Sequence, residues 1–164
     1  MITLAAVVSS AGTGAAVDLR TRRIPNGLTI GAAALGVTLA ATGATHISVI
    51  ASLAGFALGM LLMIPGHVLG ATGAGDVKLV GALGAIVGVG RIVPIFLYSA
   101  IAGGLLALGY ALYRGRLGTT LEGAAHLMTA RPGARAAVEA PGAGNRFPFG
   151  PAIAAGAVLV GLGF

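Results

Sequence analysis

Two aspartates are the residues of this sequence best placed to do chemistry. Asp18 follows a first apolar run and Asp76 precedes a later one, and the whole chain has only four acidic residues. Ionisable groups at the ends of membrane helices cost enough free energy to be functional candidates. Two neighbouring carboxylates in a low-dielectric site share one proton, so one can activate water while the other polarises a carbonyl. The pair is therefore a candidate for aspartyl-protease chemistry.

Each aspartate also has a purely structural explanation. Asp76 lies between glycine-rich sequence and an apolar run, where a helix N-cap residue would be expected. Asp18 lies at the predicted carboxyl end of a helix, where the macrodipole disfavours negative charge. A surface salt bridge with the nearby Arg20, Arg22 and Arg23 would neutralise it. The functional explanation requires instead that both aspartates lie at one face of the membrane.

The composition is that of an integral membrane protein. Hydrophobic residues make up 57% of the chain and charged residues 9%, with a mean hydropathy of +0.98. Soluble domains carry about 25% charged residues, so this chain could not cover a water-facing surface. The absence of cysteine excludes disulfides, thiolate zinc sites and cysteine nucleophiles. The net charge of +6 indicates loops that face anionic lipid, and no nucleic-acid partner is expected.

Six apolar runs predict an all-α bundle of about six transmembrane helices, in a single domain over residues 1–164. The runs fall at 2–17, 27–43, 47–65, 77–90, 92–113 and 147–164. Every Lys and Arg except Arg91 lies in, or at the edge of, the loops that follow the first, third and fifth runs. The positive-inside rule places these loops in the cytoplasm and both termini outside, so that Asp18 and Asp76 share the cytoplasmic face.

Two further patterns concern the loops and the packing of the helices. Residues 114–146 form a polar cytoplasmic loop, in which Thr119 and Glu122 fit a capping box and predict a short interfacial helix. Small-xxx-small glycine pairs predict close helix packing and a compact bundle. These pairs are Gly27/Gly31, Gly55/Gly59, Gly66/Gly70 and Gly84/Gly88.

Three segments together resemble the type IV prepilin peptidases, which are membrane aspartyl proteases of the GxGD kind. They are Asp18 with Ile24-Pro25-Asn26, the run Gly73-x-Gly75-Asp76-x-Lys78, and Pro148-Phe149-Gly150-Pro151. The resemblance implies that Asp18 and Asp76 are catalytic. It implies substrate-binding or supporting roles for Arg23, Pro25, Asn26, Gly73, Gly75, Lys78, Pro148, Phe149, Gly150 and Pro151.

The resemblance also implies a substrate and a location. The expected substrates are prepilins or prepilin-like proteins of the Flp or tight-adherence kind. They would be cut after a basic leader and just before their hydrophobic helix, at the cytoplasmic face of the cytoplasmic membrane. Longer members of the family carry a Cys-rich zinc extension and methylate the new amino terminus. This sequence begins at its first helix and has no cysteine, so we expect peptidase activity without methyltransferase activity. No metal or other cofactor is expected, because His46, His67 and His126 have no partner at ligand spacing.

Two other functions compete with this hypothesis. A small transporter or ion-binding protein would also use aspartates within the membrane, but it would place them near the midplane and show an inverted repeat. A non-catalytic assembly protein of a pilus or secretion system would keep the fold and tolerate the loss of either aspartate. The peptidase is favoured mainly by the resemblance. The predicted position of both aspartates at one face, the scarcity of acidic residues and the absence of a visible repeat support it independently.

Overall fold

The computed structural model describes residues 2–21, 24–69, 72–113 and 149–162, and these residues form six helices. The helices are α1 (Ile2–Thr21), α2 (Asn26–Ala41), α3 (Val49–Val68), α4 (Ala74–Val87), α5 (Val89–Tyr113) and α6 (Gly150–Gly161). The described part of the chain contains no strand. The predicted all-α class is confirmed.

Three of these helices are long and apolar enough to cross a membrane. They are α1, α3 and the part of α5 that runs from Val89 to Tyr110. Twenty residues of helix span about 30 Å, which matches the hydrocarbon thickness of a bilayer. The helices α2 and α6 are shorter apolar helices. The chain is therefore a polytopic membrane protein, whereas the predicted orientation of its termini stays a prediction.

Helix α4 lies at the centre of the bundle, where it packs against α1, α2, α3 and α5. Every residue from Asp76 to Val87 is buried except Lys78, although α4 has only 14 residues. A helix that is apolar on all sides is typical of a buried element. Two of the helices packed against α4, namely α1 and α2, carry residues of the site described below.

Glycines allow α3 to approach α4 closely. A Cβ at Gly55 would collide with the carbonyl oxygen of Gly84, and a Cβ at Gly84 would collide with the carbonyl oxygen of Gly55. One turn further along, a Cβ at Gly59 would lie 2.6 Å from the carbonyl oxygen of Val80. The contact is reinforced by the buried Ser52, whose hydroxyl donates a hydrogen bond of 2.6 Å to the carbonyl of Ala85.

The other glycine pairs behave differently from the packing prediction. Among the described residues, no atom outside the local backbone lies within 4 Å of a Cβ built at Gly27 or Gly31, so the prediction of close packing is wrong for that pair. A Cβ at Gly66 would lie 3.4 Å from the side chain of Thr72, and its partner Gly70 lies outside the described residues. Gly88 has φ +76°, a left-handed conformation that ends α4 and lets α5 begin at the next residue.

Near the aspartates, two helices extend beyond the apolar runs that predicted them, with Asp18 at the end of the first and Asp76 at the start of the fourth, as expected. The apolar run predicted a first helix that ends at residue 17, but α1 continues to Thr21 and so includes Asp18. The fourth helix was predicted over 77–90, but α4 begins at Ala74 and includes Asp76. The predicted cytoplasmic loop over 114–146, with its interfacial helix, lies outside the described residues, as do Arg23 and Pro148.

Candidate active site

The two aspartates line one cavity at one end of the bundle. Asp18 lies in the last turn of α1 and Asp76 in the first turn of α4, and both are buried, with 7% and 8% of their surface exposed. The cavity has a volume of about 260 Å³. Its lining residues are Asp18, Ile24, Asn26, Ala74, Gly75, Asp76 and Lys78.

The carboxylate of Asp18 is oriented by the amino end of α6. The backbone N–H of Gly150, the first residue of α6, donates a hydrogen bond of 3.0 Å to Oδ2 of Asp18. The first N–H groups of a helix have no partner within the helix and carry partial positive charge. They therefore offset the unfavourable position of Asp18 at the carboxyl end of α1. Of the three arginines in the salt-bridge explanation, Arg20 has an exposed side chain, and Arg22 and Arg23 lie outside the described residues.

The carboxylate of Asp76 is oriented by the start of its own helix. Gly73 is the N-cap residue of α4, and its backbone N–H donates a hydrogen bond of 3.0 Å to Oδ2 of Asp76. Asp76 thus occupies the third helical position, where an acidic side chain reaches back to the N-cap backbone. The structural explanation of Asp76 as the N-cap residue is wrong, because the N-cap is Gly73, three residues earlier. The side chain of Asp76 nevertheless stabilises the amino end of the helix.

Three glycines around the aspartates are required by close contacts within the protein. A Cβ at Gly150 would lie 2.9 Å from both Cβ and Oδ2 of Asp18. A Cβ at Gly75 would lie 3.0 Å from Cβ of Ile24, and one at Gly73 would lie 3.2 Å from Oδ2 of Asp76. The space beside each glycine is therefore occupied by the protein's own atoms. This packing accounts for the glycines without invoking flexibility.

Lys78 and Asn26 connect α4 to the start of α2 beside the cavity. The Nζ atom of Lys78 donates a hydrogen bond of 2.8 Å to Oδ1 of Asn26, and both side chains are exposed. Pro25 precedes Asn26 as the N-cap residue of α2, and its carbonyl accepts hydrogen bonds from the N–H groups of Leu28 and Thr29. Lys78 and Asn26 therefore line the cavity, whereas Pro25 only begins the helix that supplies Asn26.

The segment before α6 is fixed against α5. Phe149 is half-buried and lies against Gly103, at which a Cβ would collide with the phenylalanine ring. Pro151 occupies the first turn of α6, a position that suits its fixed φ. Neither residue lines the cavity of the two aspartates. The contact of Phe149 with Gly103 fixes the amino end of α6, where Gly150 meets Asp18.

Two residues of the cavity were not predicted as site residues. Ile24 is buried against Gly75, and Ala74 begins α4. Both lie within the segments that hold the predicted residues, but their apolar side chains gave no chemical signal. In the described residues no three His, Asp or Glu side chains come together as a metal ion would require. The arrangement offers two buried carboxylates and adjoining polar groups, which suit acid–base chemistry on water.

The comparison with protein families gives one match. The model of the type IV leader peptidase family matches residues 5–108, which is more than half of the chain and includes both Asp18 and Asp76. Helix α6, which supplies the hydrogen bond to Asp18, follows the matched residues. No curated protein and no solved structure matches the chain. On the strength of the family match, this chain belongs to the type IV leader peptidase family.

Proposed function

We propose that this chain is a membrane aspartic endopeptidase that removes the basic leader from type IV prepilins of the Flp or tight-adherence kind. Membership of the leader peptidase family supports a leader peptidase role in general. The observation that supports the choice of catalytic residues is the cavity of about 260 Å³ lined by both Asp18 and Asp76. The scarcity of acidic residues adds to this, because the chain has only four.

The proposed reaction uses the two carboxylates as one unit that holds one proton. The ionised carboxylate takes a proton from water while the water oxygen attacks the carbonyl carbon of the scissile peptide bond. The protonated carboxylate donates a hydrogen bond to the carbonyl oxygen and so stabilises the developing negative charge. The C–N bond then breaks, and the leaving amine takes up a proton from the pair. The titration of such a pair belongs to both groups together.

The backbone around the aspartates supports this chemistry by holding both groups in place. Gly150 and Gly73 each donate one N–H to an Oδ2 atom, at 3.0 Å in both cases. Catalytic groups that are held before the substrate binds lose little entropy when the reaction occurs. We place the reaction at the cytoplasmic face of the cytoplasmic membrane, next to anionic lipid. The argument for this face is the distribution of Lys and Arg among the loops.

The test is a gel-shift assay in cells that co-express this chain with a prepilin from the same genome. The wild-type chain should remove the leader, and Asp18→Asn and Asp76→Asn should each abolish removal while the protein still accumulates in the membrane. Each substitution keeps the size of the side chain but removes its ability to exchange the shared proton. Glu122→Gln and Glu139→Gln are the controls, since each replaces a carboxylate by an amide at one of the other two acidic residues. Both variants should leave cleavage intact.

The outcomes separate the proposal from its competitors. Cleavage that survives both aspartate substitutions would mean that another protease is cutting. Loss of cleavage in a glutamate variant, with an active aspartate variant, would overturn the choice of pair. No cleavage by a folded wild-type chain with its cognate substrate would favour transport or assembly.

A further inference from the structure

A second concavity of about 470 Å³ adjoins the carboxylate cavity and is almost entirely apolar. We call it the apolar groove. It lies between α2 and α3, with α4 as its floor. Lys78 is the one charged residue among the described residues that line it. The lining residues are Thr29, Ile30, Ala33, Ala34, Val37, Leu53, Phe56, Met60, Lys78 and Ala85.

The apolar groove is continuous with the carboxylate cavity on two helices. On α4, Lys78 lines both spaces. On α2, Asn26 lines the cavity, and Thr29, Ala33 and Val37 line the groove. These four residues are spaced three to four positions apart, so they form one stripe on one face of α2. The stripe spans about 16 Å at the helical rise of 1.5 Å per residue. A ligand in the groove would therefore extend to the edge of the cavity that holds the aspartates.

We propose that the apolar groove binds the apolar segment of the substrate chain that adjoins the scissile bond, and that this segment binds as a helix. The inference rests on the proposed function. Within hydrocarbon, a peptide segment must satisfy its own backbone groups, and only a helix can do so. The stripe on α2 offers about three turns of contact, which suits side chains spaced three to four residues apart on the bound helix.

The two walls of the apolar groove suit a helix better than a lipid tail. Ala33 and Ala34 of α2 and Ala85 in the floor are small, which allows another backbone to approach closely. Phe56 and Met60 on the α3 wall supply large and adaptable apolar contacts. A lipid tail would also fill an apolar groove, but lipid binding would not account for the connection between the groove and the cavity of the two buried carboxylates. The continuity at Lys78 and Asn26 therefore favours the substrate itself.

The first test fills the groove and compares two substrates. Ala34→Phe places a large side chain on the α2 wall, and Ala54→Phe is the matched control, since Ala54 is exposed on α3 but does not line the groove. One substrate is the full prepilin, and the other is a peptide that spans the scissile bond but ends within the first turn of the apolar segment. Ala34→Phe should raise KM for the full prepilin about tenfold, as expected for the loss of one anchoring contact, with kcat unchanged. It should not change cleavage of the short peptide, and Ala54→Phe should change neither.

Two results of this assay would overturn the inference. One is that the Ala34→Phe and Ala54→Phe variants cleave the full prepilin with the same KM. The other is an equal loss on the full and the short substrate, which would indicate damage to the carboxylate site. If the wild-type chain cleaves neither substrate, the proposed function fails, and binding to the groove is then decided by crosslinking.

The crosslinking test needs no cleavage. Asp76→Asn chains with a photo-reactive phenylalanine in place of Ile30 or Ala54 are reconstituted in phosphatidylethanolamine–phosphatidylglycerol nanodiscs and irradiated with the full prepilin. Ile30 lines the groove and is already large and exposed, so the probe there does not fill the groove. A crosslink from position 30 to the apolar segment of the prepilin, with none from position 54, is expected. Crosslinks from position 30 to lipid alone would show that lipid occupies the groove and would overturn the inference.

Discussion

Replacing Gly150 by alanine should damage catalysis through Asp18 without touching an acidic residue. In Gly150→Ala, the new Cβ would lie 2.9 Å from Cβ and Oδ2 of Asp18 and 3.1 Å from Cα of Ala15. Carbon atoms in ordinary contact are about 3.5–4.0 Å apart, so α6 or the Asp18 side chain must move by roughly 0.5–1 Å. The same movement would disturb the hydrogen bond from the N–H of Gly150 to Asp18.

The expected effect on the reaction is large. A misplacement of about 1 Å in a reacting group can cost about 100-fold in rate. We therefore expect kcat of Gly150→Ala to fall by about 10- to 100-fold, with a much smaller change in KM, because the apolar groove lies on other helices. The measurement is cleavage of a prepilin peptide by the purified chain in detergent, together with its Tm.

Two alanine substitutions of other glycines act as controls. Gly104→Ala on α5 introduces a Cβ that meets no atom of the described residues within 4 Å, and it should behave as the wild type. Gly156→Ala lies on α6 itself, where a Cβ would collide with Ser99 of α5, and it should lower Tm more than kcat. If Gly150→Ala keeps wild-type kcat, or loses no more activity per folded molecule than Gly156→Ala, then α6 does not position Asp18 and our reasoning is wrong.

Two further predictions concern the contact of α3 with α4, and unfolding of the purified chain in detergent measures both. Ser52→Ala removes the buried hydrogen bond to Ala85 and should lower the free energy of unfolding by about 1–2 kcal/mol. The exposed Thr38→Ala should change it by less than about 0.5 kcal/mol, and equal effects would contradict a special role for the buried hydroxyl. Gly84→Ala forces a Cβ against the α3 backbone and should cost about 3 kcal/mol or prevent folding. Gly31→Ala, in open space, should instead stabilise α2 by up to about 1 kcal/mol, and a tolerated Gly84→Ala would refute the close approach.

Apolar runs in the sequence predicted the number and order of the helices but not their ends near the site. An apolar run marks the part of a helix that meets hydrocarbon, whereas the backbone can stay helical into the polar interface. For this reason α1 continues through Asp18 and Arg20 to Thr21. The end of α4 depends on the left-handed conformation of Gly88, which the hydrophobic pattern does not reveal. Glycine spacing was equally ambiguous, since Gly55 and Gly84 pack whereas Gly27 and Gly31 lie open.

The sequence identified the two aspartates but not the groups that orient them. Composition and the predicted topology were enough to single out Asp18 and Asp76, because acidic residues are so scarce in this chain. The hydrogen bond from Gly150 to Asp18 joins residues 132 positions apart, and no local pattern in the sequence predicts such a contact. The same is true of the hydrogen bond between Lys78 and Asn26, which joins two different helices.

The way in which the aspartates are held explains how so few charged residues can serve a buried site. Each carboxylate accepts a hydrogen bond from a backbone N–H at the start of a helix, Asp18 from α6 and Asp76 from α4. Backbone donors of this kind bring partial positive charge without the desolvation cost of a buried Lys or Arg. Helix α6 follows the residues matched by the family model, and its Gly150 holds Asp18 of α1. The site therefore depends on packing between two helices that lie far apart in the sequence. The orientation of Asp18 therefore depends on the tertiary fold, and a chain in which α6 has not docked on α1 should hold Asp18 poorly oriented.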